Sequence, residues 1–555
     1  MDFHPDELYF IPLGGAEQFG VNFNVYGTGG KWLAIDCGIG FANDRFPGID
    51  IFLPDPAFLE ARRKDIAALI VTHAHEDHVG AVPYLWPRLR CPVYCTEFTA
   101  AVLRQKFEEQ PDCADAEIRI VKPYETVEAG PFKATFAPVA HSIPDTCSII
   151  LETALGRVVH SGDWNLDPAP VIGAPTDSGP FQEAGEKGVC AYIGDSTNAQ
   201  VKGRSGSEKD VEEGLQKTFE RCRGRIAITI FSSNIGRVQS ICRAAKACGR
   251  NVAVIGRSLH RMIGAARACG YLKDVGDFVA EEDIGLLPAD RIVMIVTGSQ
   301  GETRAQLARI ARGDHAGVSL GKGDTVIYSS RAIPGNERNI IDVNNHLAAA
   351  GVEILHPGKV GETIHVSGHP AQDEIRDMFR WVRPEAVVAV HGERTMIEAQ
   401  AALARESGIK NEIVPNNGSV IRLAPGPVEI LDHVETGLLA VEPGRVIESD
   451  HQAIIQRRKL QFSGTVHVSL VMNERGDLVA DPQISTVGLT DPDLEEGKKF
   501  EADILSEIED ILADMTREEL RDDHFVSEEI RIGLRRFVAH LLKIKPKTTV
   551  HLVRV

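Results

Sequence analysis

Between positions 73 and 78 the chain reads His-Ala-His-Glu-Asp-His, three imidazoles and two carboxylates in six residues, directly after the apolar run IAALIV. Imidazole and carboxylate are the ligand set of zinc and similar divalent ions, and a loop leaving a buried strand can aim alternate side chains at one point. His73, His75, Asp77 and His78 therefore offer four ligands from one loop. That exceeds what one tetrahedral ion with an open position accepts, so two ions are expected. The HExxH pattern of helical zinc proteases is absent, and the preceding AALIV sets the motif at a strand-to-loop turn. A lone histidine is more often a satisfied core or surface group. Here His141 in PVAHS, Asp163 in HSGDW and His391 in AVHGE also end predicted strands, a coincidence that a solvated charge patch does not explain.

Strands must carry these loops. Through about residue 200, short apolar runs such as ELYFIPLGG, KWLAIDCG, FKATFAPVAHS and SIILETALGRVVHSGDW alternate with Gly- and Asp-rich turns, and polar clusters recur at their C-terminal ends. From about Gly203 the pattern becomes strand, loop, helix: RIAITIFSSN then VQSICRAAKAC, NVAVIGRS then RMIGAARACG, RIVMIVTGSQGE then RAQLARIA. That repetition predicts an α/β unit on a parallel sheet. After VEILHPG the chain returns to polar-tipped runs, so the middle unit reads as an insertion. The expected divisions are 1–202 and 356–441 for the two parts of the first domain, 203–355 for the insertion, a linker at 442–460, and a C-terminal unit at 461–555. In the last, TVHVSLVM alternates with period two, while Ile504, Ile508, Ile511 and Leu512, then Ile530, Leu534, Phe537 and Leu541, recur at helical spacing.

The 555 residues carry 43% hydrophobic composition and a net charge of −19. A generally basic nucleic-acid surface is thereby excluded, although a local cleft or a bound pair of dications still attracts phosphate on an acidic body. No apolar run approaches the ~18 residues that span a bilayer. The N-terminus MDFHPDELYF lacks a signal-peptide pattern, and a cytoplasmic location is expected. Ten scattered cysteines include one close pair, Cys91 and Cys95, with no second pair to complete a zinc ribbon, and buried free thiols are expected. The GxxxxGK[ST] pattern is absent, which argues against nucleotide hydrolysis.

The series HxHxDH, His141 and Asp163 resembles the metallo-β-lactamase fold, an αββα sandwich of two sheets. That resemblance implies that one ion takes His73, His75, His141 and Asp163, and a second takes Asp77, His78, Asp163 and a final histidine, with Asp163 bridging. Asp36 in AIDCG matches an aspartate that supports the loop. GDSTN with Asp195, HVSGH with His365 and His369, and AVHGE with His391 resemble the extra motifs of the β-CASP nucleases, so the fold class expected is α/β, a metallo-β-lactamase sandwich with an inserted β-CASP domain and a small C-terminal α/β domain.

Within that group LGGAEQFGVN, THAHEDHVGAVPYL, GDSTN, IFSSNIGRVQ, TGSQGE, IPGNE, HVSGH and VHGE follow the order of the ribonuclease J family, over about residues 8 to 425. The resemblance implies 5′-to-3′ exonuclease and endonuclease activity on single-stranded RNA, two divalent ions (zinc first, with manganese or magnesium as alternatives), and a homodimer or tetramer of dimers built through the C-terminal domain. It gives His369 as the candidate general acid, Asp195 as the group orienting a histidine, and Asp77 among the catalytic residues. It gives Ser232, Ser233 and Asn234, with His365, Val366, Ser367, Gly368 and His369, as the segments that hold the substrate phosphate and the nucleotide beside it. Two departures stand out: Phe19 and Val21 in QFGVN replace an expected isoleucine and basic residue, and the segment after Pro427 is short for a structural-ion site. The competing readings are a DNA-directed β-CASP nuclease and an inactive RNA-binding scaffold.

Overall fold

Two sheets face each other across one apolar layer. The first runs in the order Glu429–His433, Ser419–Ala424, Leu8–Gly14, Phe23–Thr28, Lys31–Ile35, Ile66–Ile70, Val93–Cys95, Ile118–Ile120. The second runs Thr126–Ala129, Phe132–Pro138, Cys147–Thr153, Gly156–His160, Ala191–Asp195, Ala386–Val390, Asn411–Ile413. Alternate residues of each strand supply the shared layer: Phe132, Ala134 and Phe136 meet Phe10, Tyr26, Leu33 and Ile35, as a pleated strand of period two dictates. Their neighbours point the other way, where Ile150, Val159, Tyr192 and Val387 pack on helices Gly179–Lys187, Gln372–Val382 and Arg394–Glu406. Each fully buried large apolar side chain contributes roughly 1.5–3 kcal/mol. The computed structural model describes residues 3–43 and 45–555, and it has the expected αββα sandwich.

Parallel pairing brings several strand ends to one rim. Ile35 pairs with Ile70, His160 with Ile193 and Asp195 with Val390, so the loops after these strands emerge together. The strand Phe132–Pro138 runs antiparallel to Cys147–Thr153, which itself runs antiparallel to Gly156–His160. Its C-terminal end, and with it His141, reaches the same rim.

The insertion is a five-stranded parallel sheet in the order Asn251–Ile255, Ile292–Val296, Ile226–Thr229, Thr325–Tyr328, Glu353–Leu355. Its inner strands are buried along their whole length, because helices cover both faces. Glu374, 1% exposed, ties the insertion to the sandwich. Its carboxylate accepts N–H groups of Leu166, Ser205 and Ala371 and the hydroxyl of Ser205, thus joining the segments by which the chain leaves and returns.

These parts, up to Phe41 and over Ile51–Leu439, form one compact unit, and Ala42–Asp50 with Ala440–Val555 form a second. In the second unit Thr465–Met472 lies between Leu478–Val487 and Lys547–Arg554. One face of that sheet, through Val466, Val468, Leu470 and Met472, packs on Phe500, Ile504, Ile508, Val526, Ile530, Leu534 and Val538. Leu541, expected on the apolar stripe, is 46% exposed at the end of helix Asp523–Leu542. The stretch expected to be a linker is ordered into strand Arg445–Glu448 and helix Gln452–Ser463. That helix buries Ile454 alone, so it lacks the periodic apolar face by which a sequence announces a helix. Among the described residues no helix is long and apolar enough to cross a membrane. Cys91 and Cys95 are buried free thiols.

Candidate dinuclear metal centre

The strand Ile66–Ile70 ends beneath Thr72, whose N–H and hydroxyl both donate to Asp36. The second oxygen of Asp36 lies 2.7 Å from Nδ1 of His78. This contact holds the His78 ring with Nε2 directed to the cluster beyond, 3.3 Å from Asp163 Oδ1 and 3.0 Å from His391 Nε2. Gly38 allows the Asp36 loop to pass under the motif, since a Cβ there would stand 1.6 Å from the Asp77 carbonyl oxygen. Asn22 donates to that same oxygen at 2.9 Å. Glu76, the remaining acid of the motif, faces away and pairs with Lys106 at 2.6 Å.

Two ligand clusters result. His73, His75, His141 and Asp163 bring one atom each to a common point, and Asp77, His78, Asp163 and His391 do so at a second, with all atoms of a cluster within 4.8 Å of one another. Asp163 is shared and divides its oxygens: Oδ2 lies 3.5 Å from His73 Nε2 and 3.7 Å from His141 Nε2, while Oδ1 lies 3.0 Å from His391 Nε2. Burial, reinforced by neighbouring imidazoles, pushes His75 down to about 3 and lowers His73 and His141 too, so these three rings present lone pairs. Nitrogens converge as closely as 3.1 Å, His73 Nε2 on His75 Nδ1 and His141 Nε2 on the same atom.

Whether divalent ions suit this arrangement is decided by Asp163. The residue is 1% exposed and neither oxygen receives a hydrogen bond among the described residues. On the other side burial opposes charge on His78 and His391, but the carboxylates of Asp163 and Asp77 outweigh it and raise both rings well above the usual imidazole value. A buried carboxylate that faces imidazole nitrogens at both oxygens without a hydrogen bond is costly unless positive charge occupies the space between, and divalent ions would take the place of those protons. The donor set fits two such ions.

Beside this centre Asp163, Asp195 and His369 form a third group. His369 Nδ1 lies 2.8 Å from Asp195 Oδ2. Burial opposes charge on that ring, but Asp195 and Asp163 outweigh it and raise its pKa. The segment Val366–Gly368 lines a narrow cleft together with His141, Asn165, Glu208 and Asn234. The remaining expected residues fall elsewhere in part. His365 turns to the insertion, with Nδ1 3.2 Å from the Arg237 guanidinium, and burial plus that charge lower its pKa to about 3. Ser232 bonds to Ser258 at 2.8 Å. Ser233 precedes Asn234, and Asn234 Oδ1 caps helix Ile235–Ala247 by accepting the Arg237 N–H. Phe19 sets its ring edge-on to His391, centroids 6.5 Å apart, and Val21 is buried with φ of +48°.

Several polar residues that shape the site went unnoticed in the sequence. Asn198 donates to Ser367 Oγ at 2.8 Å and to the His369 carbonyl at 3.0 Å, and Arg331 donates to Asn198 Oδ1. Asn165 donates to the Gly368 carbonyl at 3.2 Å. Arg237, fully buried, is held by Glu208 at 2.6 and 2.8 Å. Asn198 stands in the quoted GDSTN motif and Arg237 in IFSSNIGRVQ, and these two had a visible signal.

Comparison with known proteins agrees with this centre. Residues 16–187 match the model of the metallo-β-lactamase superfamily, 223–347 the ribonuclease J β-CASP domain, 359–415 the Zn-dependent metallo-hydrolase RNA specificity domain, and 452–555 the ribonuclease J C-terminal domain. Ribonuclease J of Sinorhizobium meliloti is 40% identical over 554 residues, 99% of this chain and 98% of the relative. Ribonuclease J of Mycolicibacterium smegmatis is 34% identical over 552 residues, 98% and 96% of the two chains. A crystal structure of a protein of unknown function from Enterococcus faecalis, 16% identical, covers 75% of this chain and 100% of its own with a TM-score of 0.52, and shares the fold. With a full-length relative at this identity and a centre built for divalent ions, the chain belongs to the ribonuclease J family and is a metal-dependent hydrolytic ribonuclease.

Proposed function

We propose that the enzyme digests single-stranded RNA from the 5′ end, prefers a 5′-monophosphate, and also cuts internally, working in the cytoplasm as a homodimer or tetramer of dimers. The observation that carries the catalytic reading is Asp163, which offers one unbonded oxygen to each ligand cluster. His73, His75 and His141 would hold one ion and Asp77, His78 and His391 the other, zinc by donor chemistry, with manganese or magnesium able to serve in activity. When bound, such a pair supplies a nucleophilic water at neutral pH and positive charge for the phosphate oxygens.

The chain's own groups do the rest. His369, with Nδ1 engaged by Asp195, retains Nε2 to deliver a proton to the departing 3′-oxygen. Asp195 fixes the ring and keeps its imidazolium form favourable. Val366–Gly368, at the cleft wall, and the turn Ser232–Asn234, before a helix N-terminus, suit a phosphate by backbone N–H groups and hydroxyls. A triphosphate would bring two further charged groups into the same restricted space.

The test uses the full-length protein with added divalent ions on matched single-stranded RNAs bearing 5′-monophosphate, 5′-triphosphate or 5′-hydroxyl, and a 5′-phosphorylated DNA. Fastest digestion of the monophosphate RNA is expected. Equal exonuclease rates on monophosphate and triphosphate would remove the end preference, and equal rates on DNA would remove the selection for 2′-hydroxyls.

A further inference from the structure

The carbonyl oxygen of Gly368 has two donors. His141 Nδ1 lies 2.7 Å away and Asn165 Nδ2 lies 3.2 Å away. A carbonyl oxygen only accepts, so Nδ1 of His141 must carry the proton, and Nε2 of the same ring is left with its lone pair toward His75 and Asp163. The tautomer and tilt of one cluster-forming histidine are thereby set by a backbone group that lies 227 residues along the chain. That backbone group belongs to the run lining the cleft.

The contact is also tight. A Cβ at position 368 would stand 2.8 Å from Cε1 and 2.9 Å from Nδ1 of His141, and 3.1 Å from Ser142 Oγ, so glycine is what permits the imidazole to lie against the chain. On either side of Gly368, Asn198 holds Ser367 Oγ and the His369 carbonyl. The run is fixed at three successive residues: Gly368 meets His141 through its carbonyl, and the His369 side chain meets Asp163 at 3.8 Å.

We propose that the Gly368 carbonyl, steadied by Asn165, is the positioning group for His141 and couples occupancy of the cleft to affinity for the ion that His141 holds. Groups that orient a ligand histidine through its second nitrogen typically change metal affinity 10- to 100-fold when removed. Whatever orders Val366–Gly368 orders that carbonyl, and linkage requires the reverse: the ion tightens binding of whatever fills the cleft. The link to phosphate rests on reading this run as phosphate-binding; the link to the metal does not.

The experiment strips the full-length protein of metal and titrates Zn2+ against a chromophoric chelator, for the parent, Asn165→Ala and Gly368→Ala. Each is measured alone, with adenosine 5′-monophosphate, and with adenosine, after correction for metal bound by the nucleotide itself. One ion should weaken 10- to 100-fold in both variants while the other stays within about threefold. The monophosphate should raise the parent's affinity for the same ion that weakens in the variants at least about fivefold, with a smaller gain in Asn165→Ala. Parent-like binding of both ions in the two variants would overturn the proposal. Equal weakening of both ions would do so as well, since the loss would not run through His141. A monophosphate gain that persists undiminished in Asn165→Ala would mean direct ligation of phosphate to metal, and would overturn the coupling. If the monophosphate fails to bind the parent, the phosphate reading of the run falls, while the metal titration alone still decides the role of the carbonyl.

Discussion

Asp195 Oδ2 and His369 Nδ1 lie 2.8 Å apart, although 174 residues separate them in the chain. Asp195 ends a buried central strand and is 2% exposed, so the carboxylate is rigid and the histidine takes its orientation from it. Asp195→Asn preserves shape but loses the charge that favours imidazolium. The expected result is a kcat lower by about 10- to 100-fold with little change in KM, against a 10²–10⁴-fold loss for His369→Ala. Single-turnover cleavage of a 5′-monophosphate RNA measures both. An unchanged kcat in Asp195→Asn would refute the orienting role.

Metal content separates the two clusters. Asp163→Asn removes the negative charge that both clusters share and replaces one of the two oxygens divided between them, and both ions should be lost; Asp77→Ala strips one cluster only, and one ion should remain. Either change should abolish cleavage without unfolding the chain, because Asp77 is partly exposed on the four-residue helix Glu76–Val79 and Asp163→Asn keeps the size and shape of the buried aspartate. Elemental analysis per chain reads the outcome. Chelation should also lower the melting temperature of the parent, since ions that bind only the folded state stabilise it by mass action. Full activity in a preparation holding one ion per chain would refute the dinuclear assignment.

The convergence of His73, His75, Asp77, His78, His141, Asp163 and His391 was legible because each ends or follows an apolar run, and parallel strands deliver their C-terminal ends to one rim. Periodicity carries that much information. It carries none about which distant backbone atom a polar side chain will meet. Glu374 and Asn165 look like ordinary helix and loop residues, and their importance lies in partners 169 and 203 residues away. Asn234 resembled a ligand-binding residue, yet its side chain first satisfies the helix that it begins. Helix Gln452–Ser463 was missed because a segment with one buried side chain leaves no stripe to read.

Acid should destabilise the enzyme partly through His365. Burial, the Arg237 guanidinium and Arg331 lower its pKa to about 3, opposed by a contact with the Ser329 backbone. The unfolded value is about 6.5, so between these limits the unfolded chain binds the extra proton. Stability from this group is therefore complete above about pH 6.5 and declines as pH falls toward 3. His365→Gln, which cannot titrate, should flatten the fall in melting temperature between pH 6.5 and 5. An identical pH profile in the variant would show that other groups carry the acid sensitivity.

Assembly should depend on the outer face of the C-terminal sheet. Its inner face is covered by two helices, whereas Val479, Val487 and Val553 are 56%, 63% and 52% exposed. Apolar side chains grouped on one sheet face mark a contact surface. Val487→Asp with Val553→Asp should reduce the mass in solution to that of one chain, with metal content unchanged, because both positions lie in the unit that holds no residue of the metal centre. Light scattering on the full-length variant and the parent makes the comparison. A variant that keeps the parent's mass would move the interface elsewhere, and a parent that is already a single chain would remove it.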